Sequence, residues 1–561
     1  MRKIHKTKLT ELVTTLSEAC GQLGKCNDRQ RINLCGEIQE FVEVIFEYAT
    51  SVLRSESKII SLLQSLYEVL FQVAQEERSV NQLQKLVHHV VTEVHNLKPD
   101  KTEVVFFCYK ASMSDALESV YLAAKEDPSC DAFFVPIPYY DRNPDRSLGQ
   151  MHFEGIGFYS DKFELTDWRK YDVEARRPDA IFIMNPYDEG NHVTSVHPDF
   201  YSKRLKNFTD NLVYIEYGLP YWVYNHPEDV PLEEYRNNGN VLPAWLHTDY
   251  VMVYSKELVE VNKNILKAYS DLTKLFQISE KDIEKRFVAL GSPKFDKVFH
   301  TKREDCELPT EWKERIAGKK VVLLNSSLGE FLKASGPRRN TEEEPAKAGC
   351  WYFEKLQSIL AEFAAREDVV LWWRPHPLLE STIQSMRNSL YQEYQGIVQK
   401  FIAARKGIFD NTEDLHRAIT WSDAMISDES SLLMLYAATG KPFYIPAVTK
   451  RLDAPIYDDA EDFNNPLLSR LEFMKTNKGA NIGFWNCCIW WDVFLEENMG
   501  WNIYYNNFIK RFLDFVVHRE KYPEAEEYKQ LQLQMIKDFV ANSDGTAGQK
   551  IYEFIKQKTM E

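Results

Sequence analysis

Apolar residues recur at three- and four-residue spacing through the first hundred positions. Leu9, Leu12, Val13, Leu16, Cys20 and Leu23 form one stripe; Ile38, Phe41, Val42, Ile45 and Phe46 form a second; Leu62, Leu63, Leu66, Leu70 and Val73 form a third. This is the period of helices that bury one face. With no sustained heptad and no glycine-rich linker, it predicts a helical bundle over residues 1–98, docked on the rest of the chain or on another subunit. His88, His89 and His95 fall on a polar helix without acidic or cysteine partners at ligand spacing, and read as surface residues.

After Lys98-Pro99-Asp100 the period changes. Short β-branched or aromatic runs at 103–108, 132–137, 179–184, 212–215, 251–254 and 287–290 are mostly separated by helical segments. That alternation predicts a doubly wound parallel sheet, whose functional groups gather in the loops after the strands. Here those loops are 109–115, 185–192 and 216–220. Gly291-Ser292-Pro293 then breaks the chain before a helix, a natural hinge with Ser292 placed as its cap. A second set of strands follows at 321–325, 369–373, 407–410, 424–427 and 442–445, with a charged surface loop at 335–348. Beyond residue 465 the pattern is helical again. It carries an aromatic cluster, Phe484, Trp485, Trp490, Trp491, Trp501, Tyr504 and Tyr505, read as core, with a ligand platform as the alternative. The expected fold class is therefore α/β: two doubly wound, Rossmann-type domains at 99–300 and 301–465, a helical region at 1–98, and a helical region at 466–561 packing back on the body.

Composition narrows the function. A net charge of −16 argues against a broad nucleic-acid surface, while leaving room for a local basic pocket. Nine scattered cysteines without C-x-x-C pairs suggest neither zinc nor a disulfide framework. The first residues lack the apolar run of a signal peptide and nothing approaches the ~20 apolar residues of a membrane span. The expectation is a reduced, cytoplasmic protein, with peripheral membrane contact and oligomerisation open.

The chemistry concentrates in residues 410–446. A helix at 413–421, a buried strand at 424–427, a Ser/Asp turn, a helix at 432–439 and a strand at 442–445 follow one another there. The turn Ser427-Asp428-Glu429-Ser430-Ser431 offers hydroxyls and backbone N–H groups at a helix start, which suits a phosphate; simple capping by Ser430 or Ser431 is the plainer reading. Upstream, Arg374-Pro375-His376-Pro377 follows another strand, and Ser326-Ser327 follows the strand at 321–325. Lys110, Lys294 and Arg374 are candidate basic contacts, and no D-x-D stands in an obvious metal-binding turn.

Five motifs then occur in order: Gly291-Ser292-Pro293-Lys294-Phe295-Asp296, Arg374-Pro375-His376-Pro377, Asp410-x-Thr412-x-Asp414-Leu415, Ser427-Asp428-x-Ser430-Ser431, and Gly440-Lys441-Pro442 with Pro446. Together they resemble the CDP-glycerol glycerophosphotransferase family, the polymerases and primases of teichoic-acid-like polymers, over roughly residues 180–450. The resemblance implies a GT-B pair of domains with the donor nucleotide in the second and the active site between them. It places His376 by the donor pyrophosphate with Arg374, and makes Ser427, Asp428, Ser430 and Ser431 the phosphate cradle, with Ser326, Ser292 and Lys294 nearby. It implies no metal and no cofactor beyond a nucleotide-linked donor, CDP-glycerol, and a polymer or lipid-linked acceptor. The family's W-H-G-T-P run, whose His serves as base, corresponds here to Glu216-Tyr217-Gly218-Leu219-Pro220, so Tyr217 stands in place of the His. Tyrosine, with a pKa near ~10, is a poor base at neutral pH, which passes the expectation to Glu216, then Asp188 and His192. A glycosyltransferase using a nucleotide-sugar, and a non-catalytic scaffold of envelope assembly, are the two alternatives.

Overall fold

Leu9, Val13, Leu16 and Cys20 line the buried face of α1 (Lys3–Gln22), and they meet Cys35, Ile38, Val42 and Ile45 of α2 (Asp28–Val52). Leu63, Leu66, Leu70 and Val73 of α3 (Lys58–Ala74) and Leu83, Val87, Val90 and Val94 of α4 (Val80–Asn96) complete the bundle. Its core is a cluster of its own. Capping boxes at Asn27 with Gln30, and at Ser79 with Gln82, fix the starts of α2 and α4. The bundle is held to the next domain by Arg2. Its guanidinium donates to Asp179 at 2.8 Å, to Glu103 at 3.1 Å and to the carbonyl of Arg176 at 3.0 Å. The computed structural model describes residues 1–143, 145–191, 194–219, 241–273, 278–328, 331, 345–428, 430–446, 490–491 and 501–561.

Two parallel sheets follow. The first contains β1 (Thr102–Cys108), β2 (Cys130–Pro136), β5 (Ala180–Ile183), β7 (Leu212–Ile215), β8 (Tyr250–Val253) and β9 (Phe287–Ala289), in the spatial order β2-β1-β5-β7-β8-β9. A small antiparallel sheet that the hydrophobic pattern does not predict lies beside it: β3 (Tyr139–Arg142) between β4 (Leu148–His152) and β6 (Thr194–Val196). The second parallel sheet contains β10 (Lys320–Ser326), β11 (Val369–Pro375), β12 (Ile408–Phe409), β13 (Ala424–Ser427), β14 (Phe443–Ile445) and β15 (Trp490–Trp491), in the order β12-β11-β10-β13-β14-β15. Both are doubly wound, since each chain path runs to one side of its first strand and then returns to the other. Two such domains in tandem, joined at Gly291-Ser292-Pro293, form the GT-B arrangement.

The expected aromatic cluster divides. Trp490 and Trp491 form the edge strand β15. Phe484 and Trp485 lie outside the described residues, as do the side chains of Trp501, Tyr504 and Tyr505.

The last helices bind the domains together. Helix Trp501–Val517 packs on helix Pro345–Ala364 of the second domain. Helix Ala525–Phe539 crosses beneath, where Gln532 donates to the carbonyl of Ala437 at 2.9 Å. Helix Ala547–Met560 then lies on helix Glu118–Glu126 of the first domain. Asp296 of the junction helix Pro293–His300 accepts the N–H groups of Ala547 at 3.0 Å and Gly548 at 2.7 Å. Gly291 has φ +90°, and a Cβ there would stand 2.3 Å from the Ala541 carbonyl oxygen, so only glycine fits the junction.

Candidate functional site

In a doubly wound sheet the crevice opens where the winding reverses, outside the C-terminal ends of the strands. In the second sheet that point lies between β10 and β13, and both strands end in hydroxyl residues. Asn325 donates from Nδ2 to Ser427 Oγ and to Ser430 Oγ, each at 2.9 Å. Ser430 Oγ also accepts the N–H of Leu432 at 3.3 Å, which makes it a cap for helix Leu432–Ala437. Ser431 makes no capping bond and is exposed. Asp428 is buried and accepts the Ser327 N–H at 2.7 Å and the Lys355 ammonium at 2.5 Å. Ser326 Oγ accepts the indole N–H of Trp373 at 3.0 Å. The turn is thus built from the inside: Ser427, Asp428 and Ser326 hold its shape, while Ser430 and Ser431 stand toward its mouth.

The neighbouring strand β11 ends in Arg374 and His376. Arg374 is 6% exposed and committed, lying 3.0 Å from Asp410 and donating to the Thr412 carbonyl at 2.6 Å. His376 accepts the Leu378 N–H on Nδ1 at 3.1 Å, which leaves Nε2 to carry the proton. Burial, with a further push from Lys110, lowers its pKa to about 4. The imidazole is therefore neutral at pH 7 and acts as a hydrogen-bond donor, not as a positive charge.

The winding of the first sheet reverses between β1 and β5, and there stands Lys110. Its ammonium lies 4.8 Å from the ring centroid of Tyr139 on β3. Burial pulls its pKa down while Glu154, Glu413 and Asp141 pull it up. Glu413 belongs to the second domain, as does His376, so Lys110 faces the cleft. Glu154 in turn accepts the Ala111 N–H at 2.7 Å and the Tyr139 hydroxyl at 3.3 Å, which fixes this wall.

The expected bases fare differently. Asp188 has φ +44° and accepts the Ser202 N–H at 3.1 and 3.0 Å and the Ser202 hydroxyl at 2.5 Å; its carboxylate organises the loop. Burial outweighs those bonds and raises its pKa to about 6. Glu216 is 6% exposed and interacts with Tyr187, Tyr214 and Tyr254. Its Oε2 has no hydrogen-bond partner among the described residues, and burial raises its pKa to about 8. Tyr217, the next residue, is within electrostatic reach of Tyr187 as Glu216 is, and Lys294 Nζ lies 4.3 Å from its ring centroid. His192 lies outside the described residues. Ser292 accepts the Lys294 N–H at 3.4 Å and caps the junction helix.

Sequence reasoning missed several participants. Asn325 and Lys355 carry no local motif; their contacts join positions far apart in the chain. Asp115 and His416 were nearer to hand, one in the loop after β1 and the other just after Asp414-Leu415. The structure pairs them at 2.9 Å, with Lys294 Nζ 3.7 Å from the same carboxylate oxygen.

The sequence model of the family described as CDP-glycerol:poly(glycerophosphate) glycerophosphotransferase matches residues 233–463. The match takes in all five ordered motifs. None of the curated proteins matches the chain. Among solved structures, the wall teichoic acid polymerase TagF is similar over 89% of this chain and 98% of its own, with 14% identity and a TM-score of 0.42. S. aureus MnaA in its UDP co-structure is similar over 82% and 96%, with 13% identity and a TM-score of 0.42. A UDP-N-acetylglucosamine 2-epimerase is similar over 83% and 98%, with 12% identity and a TM-score of 0.40. Among the described residues, no helix is long and apolar enough to cross a membrane.

Proposed function

We propose, for a chain whose residues 233–463 carry the glycerophosphotransferase pattern, that it moves a glycerophosphate-like unit from a CDP-linked donor to a hydroxyl of a cell-surface polymer precursor. The observation that carries this reading is the convergence of the His376 strand end and the Ser430–Ser431 turn at one winding reversal, with Lys110 at the other. In this reading the pyrophosphate lies over the Ser430–Ser431 turn. The acceptor oxygen attacks the β-phosphorus, the bond to the bridging oxygen breaks, and CMP leaves with the electron pair. His376 donates a hydrogen bond to a phosphate oxygen, and Lys110 supplies the positive charge as charge grows on the leaving group. Asn325, Asp428 and Lys355 keep the turn in shape.

The experiment is a ligand screen by thermal shift, followed by turnover. CDP-glycerol should raise the melting temperature, since a ligand bound only by the folded state stabilises it by mass action. UDP- and GDP-sugars should not. CMP release on adding a glycerophosphate oligomer should follow. A shift with a nucleotide-sugar and none with CDP-glycerol would replace this reading by a glycosyltransferase.

A further inference from the structure

The transfer proposed above must remove a proton from the acceptor hydroxyl. Asp188 is occupied by Ser202, and Glu216 is buried with tyrosines within electrostatic reach. A different pair stands on the seam between the two domains. His416, on helix Leu415–Trp421 of the second domain, holds Nε2 2.9 Å from Oδ2 of Asp115, in the loop after β1 of the first. The two side chains are 3% and 6% exposed. Lys294, from the junction, lies 3.7 Å from Asp115 and over the half-buried ring of Tyr217.

The protonation of the pair follows from its surroundings. Burial works against the Asp115 charge, but Lys294, His416 and Lys297 together hold the carboxyl well below its ordinary range, so it is ionised. An ionised carboxylate only accepts, so Nε2 carries the hydrogen. Burial lowers the His416 pKa, opposed by Asp115 and Asp414 and aided by Lys297, and the imidazole rests neutral. Its other nitrogen, Nδ1, then presents a lone pair. That atom is buried and has no hydrogen-bond partner among the described residues. A buried acceptor left without a donor is costly, and an ion-paired residue set across a domain seam is a weak way to obtain stability. A neutral imidazole with one N–H fixed by a carboxylate and the other nitrogen unpartnered is, by contrast, the arrangement of a general base.

We propose that His416 is the general base of the transfer and that Asp115 is its positioning residue. The assignment rests on the reading given above. The acceptor hydroxyl enters at the seam beside Tyr217 and donates to Nδ1. As its oxygen bonds to the β-phosphorus and CMP departs, its proton passes to Nδ1, giving an imidazolium balanced by Asp115. Because the two residues belong to different domains, the base is assembled only when the domains meet.

The test uses the full chain, CDP-glycerol, and CMP release to a glycerophosphate oligomer. His416→Ala should lower kcat at least ~10²-fold, the usual range for a lost proton acceptor, with CDP-glycerol affinity unchanged. Added imidazole should restore part of the rate. Asp115→Asn should lower kcat and move the acid limb of the pH–rate profile to lower pH, since the carboxylate raises the His416 pKa. His416→Gln serves if the alanine variant does not fold. Wild-type turnover in a folded His416 variant, or a loss that follows melting temperature and gains nothing from imidazole, overturns the assignment while leaving the transferase reading intact. Failure of the wild-type chain to bind CDP-glycerol overturns both.

Discussion

Glu216 and His376 depart from their ordinary pKa values in opposite directions for one reason: burial disfavours whichever form is charged. Glu216 rises from 4.5 to about 8. Its contribution to stability is full below the unfolded pKa and is lost as pH climbs through the folded one. Glu216→Gln keeps the shape without the charge, so it should melt above the wild type at pH 8, with the gap closing toward pH 4.5. Transfer should persist, because His416 is the proposed base and the Glu216 carboxylate is buried; melting curves at the two pH values and one rate measurement decide. His376 falls from 6.5 to about 4. Its contribution is present above pH 6.5 and is lost as pH falls through 4. His376→Ala should lower transfer by ~10²-fold or more with little change in melting temperature at pH 7. Any inflection in the pH–rate profile between 5 and 8 should survive that substitution, since His376 does not titrate there. That Glu216 and Tyr217 share the loop after β7 was legible in the sequence. Which of them meets the seam was not, because that depends on Lys294 and Asp115, brought there by the junction helix and the β1 loop.

The turn after β13 separates capping from ligand contact within a single short element. Ser430→Ala removes the acceptor for both Asn325 and the Leu432 N–H, and should cost about 1 kcal/mol of stability. Ser431→Ala should leave the melting temperature unchanged, since Ser431 is exposed and makes no cap. Weaker CDP-glycerol binding by Ser431→Ala, measured calorimetrically, would then report on the ligand alone. Beneath the turn, Asp428→Asn leaves the Lys355 ammonium buried without its counter-charge, at a cost of about 3–5 kcal/mol; chemical denaturation measures it. The parallel strands were readable because strands covered on both faces appear as continuous apolar runs, as at Val321–Leu324 and Val369–Trp373. The antiparallel trio β3, β4 and β6 was not. Its strands are short, and β4 is largely exposed with mixed side chains, so no period marks it. The polar scaffold of the turn escaped for another reason: Asn325 and Lys355 reach it from elements about a hundred and about seventy residues away, a distance no local pattern spans.

Across the whole molecule, the bundle has its own core, and the buried Arg2 ties it to Asp179 and Glu103 of the first domain. Arg2→Ala withdraws a buried cation from Asp179 and Glu103, although Glu103 keeps Arg176 at 2.8 Å and the Tyr171 hydroxyl at 2.9 Å. The expected loss is about 3 kcal/mol, felt mainly as detachment. Limited proteolysis should then cut near residues 97–101 and release a folded helical fragment, whereas the wild type resists. The opposite flank shows what such a stitched architecture asks of a growing polypeptide. Helix Glu118–Glu126 is covered by helix Ala547–Met560, and Gly291 sits against Ala541. A ribosome adding ~5–20 residues per second needs tens of seconds to travel from the junction to that covering helix. During that interval the first domain exists with one apolar flank bare, so its completion waits on helix Ala547–Met560, and a chaperone that shields helix Glu118–Glu126 would matter most then.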